Sequence, residues 1–374
     1  MKIALFTDTF EDGYGGVTVY VRNLANYLIE EGHSVKIFVW ESRNLTEEDR
    51  KICITFPNIN VVKSVRGKAG LSTRRILEET REFSPDLIHN HSQYSMGLQA
   101  IIVSKKMKMP IINHYHMYLE GGINHFPYIF QKTPELTNII IKKESKFFFT
   151  QCDLAITPTK VMREHLKKIG VKNKIINIPF GINLNEFKKE KKYKSTKFTL
   201  LYVGRLSKEK NLADLIRIFA KFARNKDVIL KIIGDGVEKE RLEELSKTLK
   251  IKEKVQFLGW VKRESLSKEY NSANMFVTLS EMETFGIVIL EAMACGLPIL
   301  GTNTLAIPEL VTNNINGFLV NKTDEIKILD NLNLIYENKN IEAKFSLNSI
   351  LIAKEFEEKK VFQKLEKIYS DLIK

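Results

Sequence analysis

Only three cysteines, Cys53, Cys152 and Cys295, occur among the 374 residues, and they stand far apart. That excludes a disulfide framework and a cysteine-based metal site, and it suits a reducing compartment. No run approaches 18 apolar residues, so no membrane span is expected. The opening "MKIALFTDTF" passes from a short apolar run straight to acids, which is not the layout of a secretory signal. Low-complexity tracts are lacking, and so are basic motifs interleaved with aromatics, which weighs against a nucleic-acid partner. These absences point to a cytoplasmic protein without an integral membrane segment.

What is present is an ordinary globular composition, 44% hydrophobic and 28% charged. The length exceeds what one core usually serves, so two domains are expected. The net charge of +13 is spread over both halves: residues 1–180 carry +7 and the remainder +6. A Lys-rich composition explains that excess, and so does attraction to an anionic partner such as a membrane surface.

Short apolar runs alternate with amphipathic ones along the whole chain. "KIALFT" (2–7), "SVKIFVW" (34–40), "DLIHNH" (86–91), "PIINHYH" (110–116), "DLAITPT" and "KIINIPF" read as strands. Residues 15–32, 94–107 and 133–149 read as helices between them, the last with Thr133 as cap and Pro134 in its first turn. A polar tract at 183–197 reads as a linker, and the alternation then restarts. Uninterrupted apolar strands with crossover helices imply parallel sheets. The expected fold is therefore α/β with two doubly wound Rossmann-like domains, 1–181 and 182–356, facing a cleft at the carboxyl ends of their strands.

Several residues carry chemistry at the expected strand ends. In "VGRLSKEKN", Gly204 allows close backbone approach, and Arg205 and Lys210 lie in the strand-to-helix turn where anions bind. Two solvated basic residues are the plainer explanation. In "EDGYGGVTVYV", Gly15 and Gly16 bring a helix N-terminus near the cleft, or serve a turn needing positive φ. "SEMETFGIVILEAMACGLPILGT" (280–302) places Glu283 on a loop, and Glu291 two turns into a buried helix. Phe285, Gly286 and Ile287 offer the open N–H groups of its first turn. An unpaired carboxylate at Glu291 would be costly; vicinal ribose hydroxyls would satisfy it, and so would a buried ion pair. His89, His91, His114 and His116 end two strands. No cysteine joins them, and a contact to a sugar or acceptor hydroxyl fits better than zinc; satisfied structural histidines are the plainer reading, above all for one of His89 and His114.

In combination, "GGV", "GRLSKEKN", "FLGWV" and "EMETFGIVILEAMACGLPIL" resemble, in order and spacing, the family 4 retaining glycosyltransferases of the GT-B fold. "PFGIN" (179–183) resembles their interdomain turn, with Asn183 where Asp is usual. The resemblance implies a diphosphate clamp at Arg205 and Lys210, with Gly16 beneath the diphosphate. It implies donor-sugar contacts at Glu283 and His116, a ribose contact at Glu291, and main-chain contacts at Phe285, Gly286 and Ile287. Trp260 and Val261 match the segment touching the base. The last helix (about 357–374) is expected to pack back on the first domain. "FTDTFEDGYGGV" and "INHYHMYLE" resemble the subgroup that glycosylates diacylglycerol, with departures at Asp12 and Gly15.

The function so implied is retaining transfer of a hexose, with UDP-glucose expected as co-substrate, to a diacylglycerol-type lipid on the inner face of the membrane. No cofactor and no metal are expected. Asp8, His91 and Glu120 are acceptor-side candidates. The tract 63–75 and the helix at 138–149 are candidates for docking on anionic lipid. A non-lipid acceptor, a nucleotide-sugar epimerase or phosphorylase of the same fold, and a non-catalytic binder of anionic ligands stay open as alternatives.

Overall fold

The computed structural model describes residues 1–10, 15–42, 45–62, 67–70, 72–118, 132–190, 193 and 196–374. Asp12, Glu120, Lys63 and Arg66 lie outside them. Spatial proximity divides the chain into two units, Met1–Pro179 with Val361–Lys374, and Phe180–Lys360.

The first unit is built on a seven-stranded parallel sheet. Its strands are β1 (Lys2–Thr7), β2 (Ser34–Trp40), β3 (Cys53–Phe56), β6 (Leu87–Asn90), β7 (Ile111–His114), β8 (Leu154–Thr157) and β9 (Lys174–Asn177), in the order β3-β2-β1-β6-β7-β8-β9. A short antiparallel pair, β4 (Ile59–Val62) with β5 (Gly67–Ala69), stands apart. The helices are α1 (Gly15–Glu30), α2 (Glu47–Ile52), α3 (Thr73–Phe83), α4 (Ser95–Met107), α5 (Pro134–Thr150) and α6 (Lys160–Lys168). β1, β6, β7 and β8 are buried almost throughout, which is why they read as unbroken apolar runs. Thr133 precedes α5 but makes no side-chain cap bond, contrary to expectation; Pro134 does occupy its first turn. Thr159, before α6, is a working cap, its hydroxyl accepting from Met162 N–H.

The second unit has strands β10 (Phe198–Val203), β11 (Val228–Ile233), β12 (Val255–Gly259), β13 (Met275–Val277), β14 (Ile299–Thr302) and β15 (Gly317–Val320), all parallel, in the order β12-β11-β10-β13-β14-β15. Its helices are α7 (Leu212–Phe222), α8 (Lys239–Thr248), α9 (Arg263–Asn271), α10 (Ile287–Ala294), α11 (Ile307–Leu310), α12 (Glu325–Glu337) and α13 (Lys339–Lys354). α7 shows how they are held: Leu212, Leu215, Ile216, Phe219 and Phe222 recur at helical spacing and are buried on the sheet. The order is that of a dinucleotide-binding fold, and the direction of winding reverses between β10 and β13. In the first unit the reversal falls between β1 and β6. In such sheets the crevice at the strand carboxyl ends beside this reversal is where ligands bind.

The tract 183–197, read as a linker, belongs instead to the second unit. Phe187 is fully buried against Tyr270, ring centroids 5.9 Å apart. Asn271 Oδ1 accepts Glu190 N–H at 2.5 Å, and Asn183 Oδ1 accepts from the N–H groups of Asn185 and Glu186. One aromatic in a polar run has no period, so nothing local announced the anchoring. The chain returns to the first unit in α14 (Glu358–Ile373), whose residues from Val361 belong there. Val361, Phe362, Leu365 and Tyr369 form its buried face. Glu366 accepts from Tyr27 Oη and pairs with His33 Nε2, both at 2.9 Å.

Candidate active site

In the second unit the residues expected around a donor collect at the β10/β13 reversal. Gly204 and Arg205 follow β10, and Lys210 ends a single 3-10 turn before α7. Lys210 Nζ donates to Glu283 Oε1 at 2.6 Å, to Met282 O at 3.1 Å and to Ser280 Oγ at 3.4 Å. Both partners of the ion pair are mostly shielded, with side-chain exposures of 16% and 17%, so water screens the pair less than a surface pair. Arg205 is exposed, and its main-chain carbonyl accepts Tyr202 Oη at 3.0 Å. Gly204 is tightly placed, since a Cβ there would meet Tyr202 Oη at 2.7 Å.

The loop from Ser280 leads into α10 through Gly286, whose φ of +89° suits glycine. No acceptor among the described residues takes the N–H groups of Phe285, Gly286 or Ile287. They therefore stand as open donors at a helix N-terminus, where anions and hydroxyl oxygens are bound. The Phe285 ring is buried against Phe180, 5.2 Å between centroids. Trp260, just after β12, is 61% exposed, and Val261 is half-buried.

Glu291 is 1% exposed and finds its donors inside the protein. Arg263 Nη1 donates to Oε1 and Tyr270 Oη to Oε2, each at 2.8 Å. Burial pushes this carboxyl up, and Arg263 and Tyr270 pull it back. The buried ion pair weighed from sequence is thus present. The carboxylate still has lone pairs beyond the two engaged.

In the first unit Asp8, at the end of β1, is buried. Its Oδ1 accepts from Met96 N–H, Trp40 Nε1 and Ser95 Oγ at 2.9, 3.0 and 3.1 Å. It therefore caps α4 from a neighbouring element, since Tyr94 at the N-cap provides no side-chain bond. Burial raises Asp8 to about 6 despite these donors, and its Oδ2 is buried with no bond. Gly15 opens α1. At Gly16 a Cβ would meet nothing within 4 Å, and φ is not positive, so a strained turn does not explain this glycine.

His89, His91, His114 and His116 come together as expected from the ends of β6 and β7, and all four are buried. His91 Nδ1 lies 2.9 Å from His116 Nε2, and His89 Nε2 lies 3.3 Å from His114 Nδ1. Tyr369 of α14 lies 2.5 Å from His89 Nδ1, and Tyr20 of α1 packs its ring on His91, His114 and His116. Burial lowers all four, His116 to about 3, so the imidazoles are neutral. One nitrogen from each of His89, His91 and His114 lies within 4.8 Å of the others.

Arg263, Tyr270, Tyr20 and Tyr369 were not singled out from sequence. The seven-residue spacing of Arg263 and Tyr270 on one helix was a usable signal. Tyr369 meets His89 across 280 residues, which no local pattern reveals.

The docking candidates divide. Arg74 and Arg75 pair with Glu78 and Glu79 along α3, which lowers the net positive charge there. α5 buries Thr137, Ile141, Ser145, Phe148 and Phe149, yet Leu136, Ile139, Ile140 and Phe147 are each about half exposed beside the exposed Lys142, Lys143 and Lys146. No helix among the described residues is long and apolar enough to cross a membrane.

Two family models match the chain, Glycosyltransferase Family 4 over residues 14–186 and Glycosyl transferases group 1 over 184–351. The chain is 26% identical to the alpha-monoglucosyldiacylglycerol synthase of Acholeplasma laidlawii, across 100% of this chain and 98% of that protein. It is 27% identical to the enzyme of the same name from Streptococcus pneumoniae, across 85% and 75% respectively. Among solved structures, Anabaena HepE in complex with UDP aligns with a TM-score of 0.82 at 20% identity, covering 99% of this chain and 100% of that one. Motif order, two switch-point sheets and both models agree: the chain belongs to the family 4 glycosyltransferases with the GT-B fold.

Proposed function

We propose that this glycosyltransferase moves a hexose, with UDP-glucose as donor, to a hydroxyl of a diacylglycerol-type lipid, keeping the α configuration. The observation that carries the donor half is the set at the β10/β13 reversal: Lys210 on Glu283, Arg205 two residues after the end of β10, and three open N–H groups at the start of α10. Charge developing on a departing diphosphate is met by Arg205, Lys210 and those N–H groups, without a metal or other cofactor. Glu283 holds sugar hydroxyls and Glu291 those of the ribose; Trp260 and Val261 meet the base. His116, neutral by burial, and Gly16 are the first unit's candidates for the donor, assigned from the motif resemblance alone. The acceptor attacks on the face from which the phosphate leaves, and the departing phosphate oxygen takes its proton.

The lipid half is supported by the names of the two synthases and by the outer face of α5. That face combines exposed Leu136, Ile139, Ile140 and Phe147 with Lys142, Lys143 and Lys146, as a helix lying in an anionic interface requires. The protein therefore works peripherally on the cytoplasmic membrane face, with His91 and Asp8 on the acceptor side. The test is a panel of radiolabelled nucleotide sugars, each incubated with diacylglycerol vesicles and with water-soluble acceptors. Label extracted with the lipid is expected from UDP-glucose. Transfer only to a soluble acceptor would place the same chemistry on a different substrate class.

A further inference from the structure

Glu291 is held by a closed network drawn from three segments of the second unit. Arg263 opens α9 and uses its guanidinium on three sides. Nη1 donates to Glu291 Oε1 at 2.8 Å, Nε lies 3.0 Å from Glu186 Oε1, and the flat face covers the Phe187 ring at 4.8 Å. Tyr270, seven residues on and so on the same helix face, donates to Glu291 Oε2 and meets Phe187 edge to face. One donor is thus spent on each carboxylate oxygen. A carboxylate offers about four lone-pair sites, so each oxygen retains one.

We propose that Arg263 and Tyr270 are positioning residues that fix Glu291 as a fork of two acceptors for the vicinal hydroxyls of the donor's ribose. This rests on the reading of Glu291 as the ribose contact. The physical reason is that a carboxylate on a buried helix face does not hold this form alone. Burial favours the protonated carboxyl, which gives up acceptor capacity and can rotate. Arg263 opposes that through charge, and two bonds to different oxygens fix the carboxylate plane. Glu186 and Phe187 hold the guanidinium in turn, which gives the anchored tract after the unit boundary a role in nucleotide selection.

The test compares binding of UDP and 2′,3′-dideoxy-UDP by calorimetry. Wild type is expected to prefer UDP by about 10- to 100-fold, the loss from removing one or two hydrogen bonds to a charged acceptor. Glu291→Ala should abolish that preference; if it does not, the ribose reading of Glu291 falls, and this inference with it. Arg263→Met and Tyr270→Phe should each cut the preference while leaving dideoxy-UDP affinity unchanged. Arg263→Lys, which keeps a cation on Glu291, should recover most of it. A preference retained in both Arg263→Met and Tyr270→Phe overturns the proposal. So does an equal loss for both nucleotides, because that marks a purely structural role. Thermal melting checks folding, and Tyr270→Phe, which removes one hydroxyl, carries the test if Arg263→Met does not fold.

Discussion

The ammonium of Lys210 and the carboxylate of Glu283, 73 residues apart in the chain, meet at 2.6 Å in a mostly shielded site. Each thereby neutralises the other. A lysine bound also to Met282 O and Ser280 Oγ loses little freedom when a diphosphate arrives, which is the preorganisation electrostatic catalysis needs. Glu283→Ala is expected to lower turnover, and Arg205→Ala with Lys210→Ala to lower it by ~10²-fold or more. Steady-state rates with UDP-glucose check this, alongside melting curves. Full activity in the double variant would remove the clamp assignment.

Turnover should survive EDTA. The proposed stabilisation of the diphosphate uses Arg205, Lys210 and the N–H groups at the start of α10, and it includes no divalent ion. Activity lost on chelation and restored by Mg²⁺ or Mn²⁺ would overturn this account.

Vesicle binding should depend on α5. Replacing Leu136, Ile139, Ile140 and Phe147 with Ser removes the exposed apolar stripe, and replacing Lys142, Lys143 and Lys146 removes charges worth ~1 kcal/mol each near an anionic surface. Co-sedimentation with anionic vesicles should fall in both variants and, in wild type, with rising salt. Hydrolysis of the donor without acceptor should not change. Equal sedimentation with neutral and anionic vesicles would return the positive charge to mere composition.

Acid should destabilise the first unit from an unusually high pH. His89, His91, His114 and His116 have folded values below the unfolded 6.5, so below that pH the unfolded chain binds more protons and stability falls. Each imidazole still neutral costs about 1.4 kcal/mol per pH unit. Asp8 acts oppositely: with a folded value of about 6 against 3.8, it returns part of the loss as pH falls through that interval. Four groups outweigh one, and the net sign is loss. Fluorescence of buried Trp40 reports this unit, and its urea midpoint should be steady from pH 8 to 7 and drop between 6.5 and 5.

Much of the architecture was readable because parallel strands buried on both faces write themselves as apolar runs. "KIALFT" and "SVKIFVW" became β1 and β2 with the expected limits. α2 and β15 are short enough to escape a periodicity reading, whereas α3 is amphipathic over 11 residues and its pattern was available in the sequence. The motif residues were readable as well, since Glu283 and the start of α10 lie on one loop.

The sequence by itself determined the alternation, the two sheets, and which residues reach the strand ends, because periodicity and turn chemistry are local. Tertiary structure alone decided what those residues touch. It gave Glu291 an arginine and a tyrosine from α9, made Asp8 the cap of a helix 87 residues later, and set Tyr369 against His89. It also drew the polar tract at 183–197 into the second unit through one buried phenylalanine. Those outcomes depend on pairing between distant segments. A buried polar group must find a partner wherever the fold supplies one, and the chain records the need without recording the address.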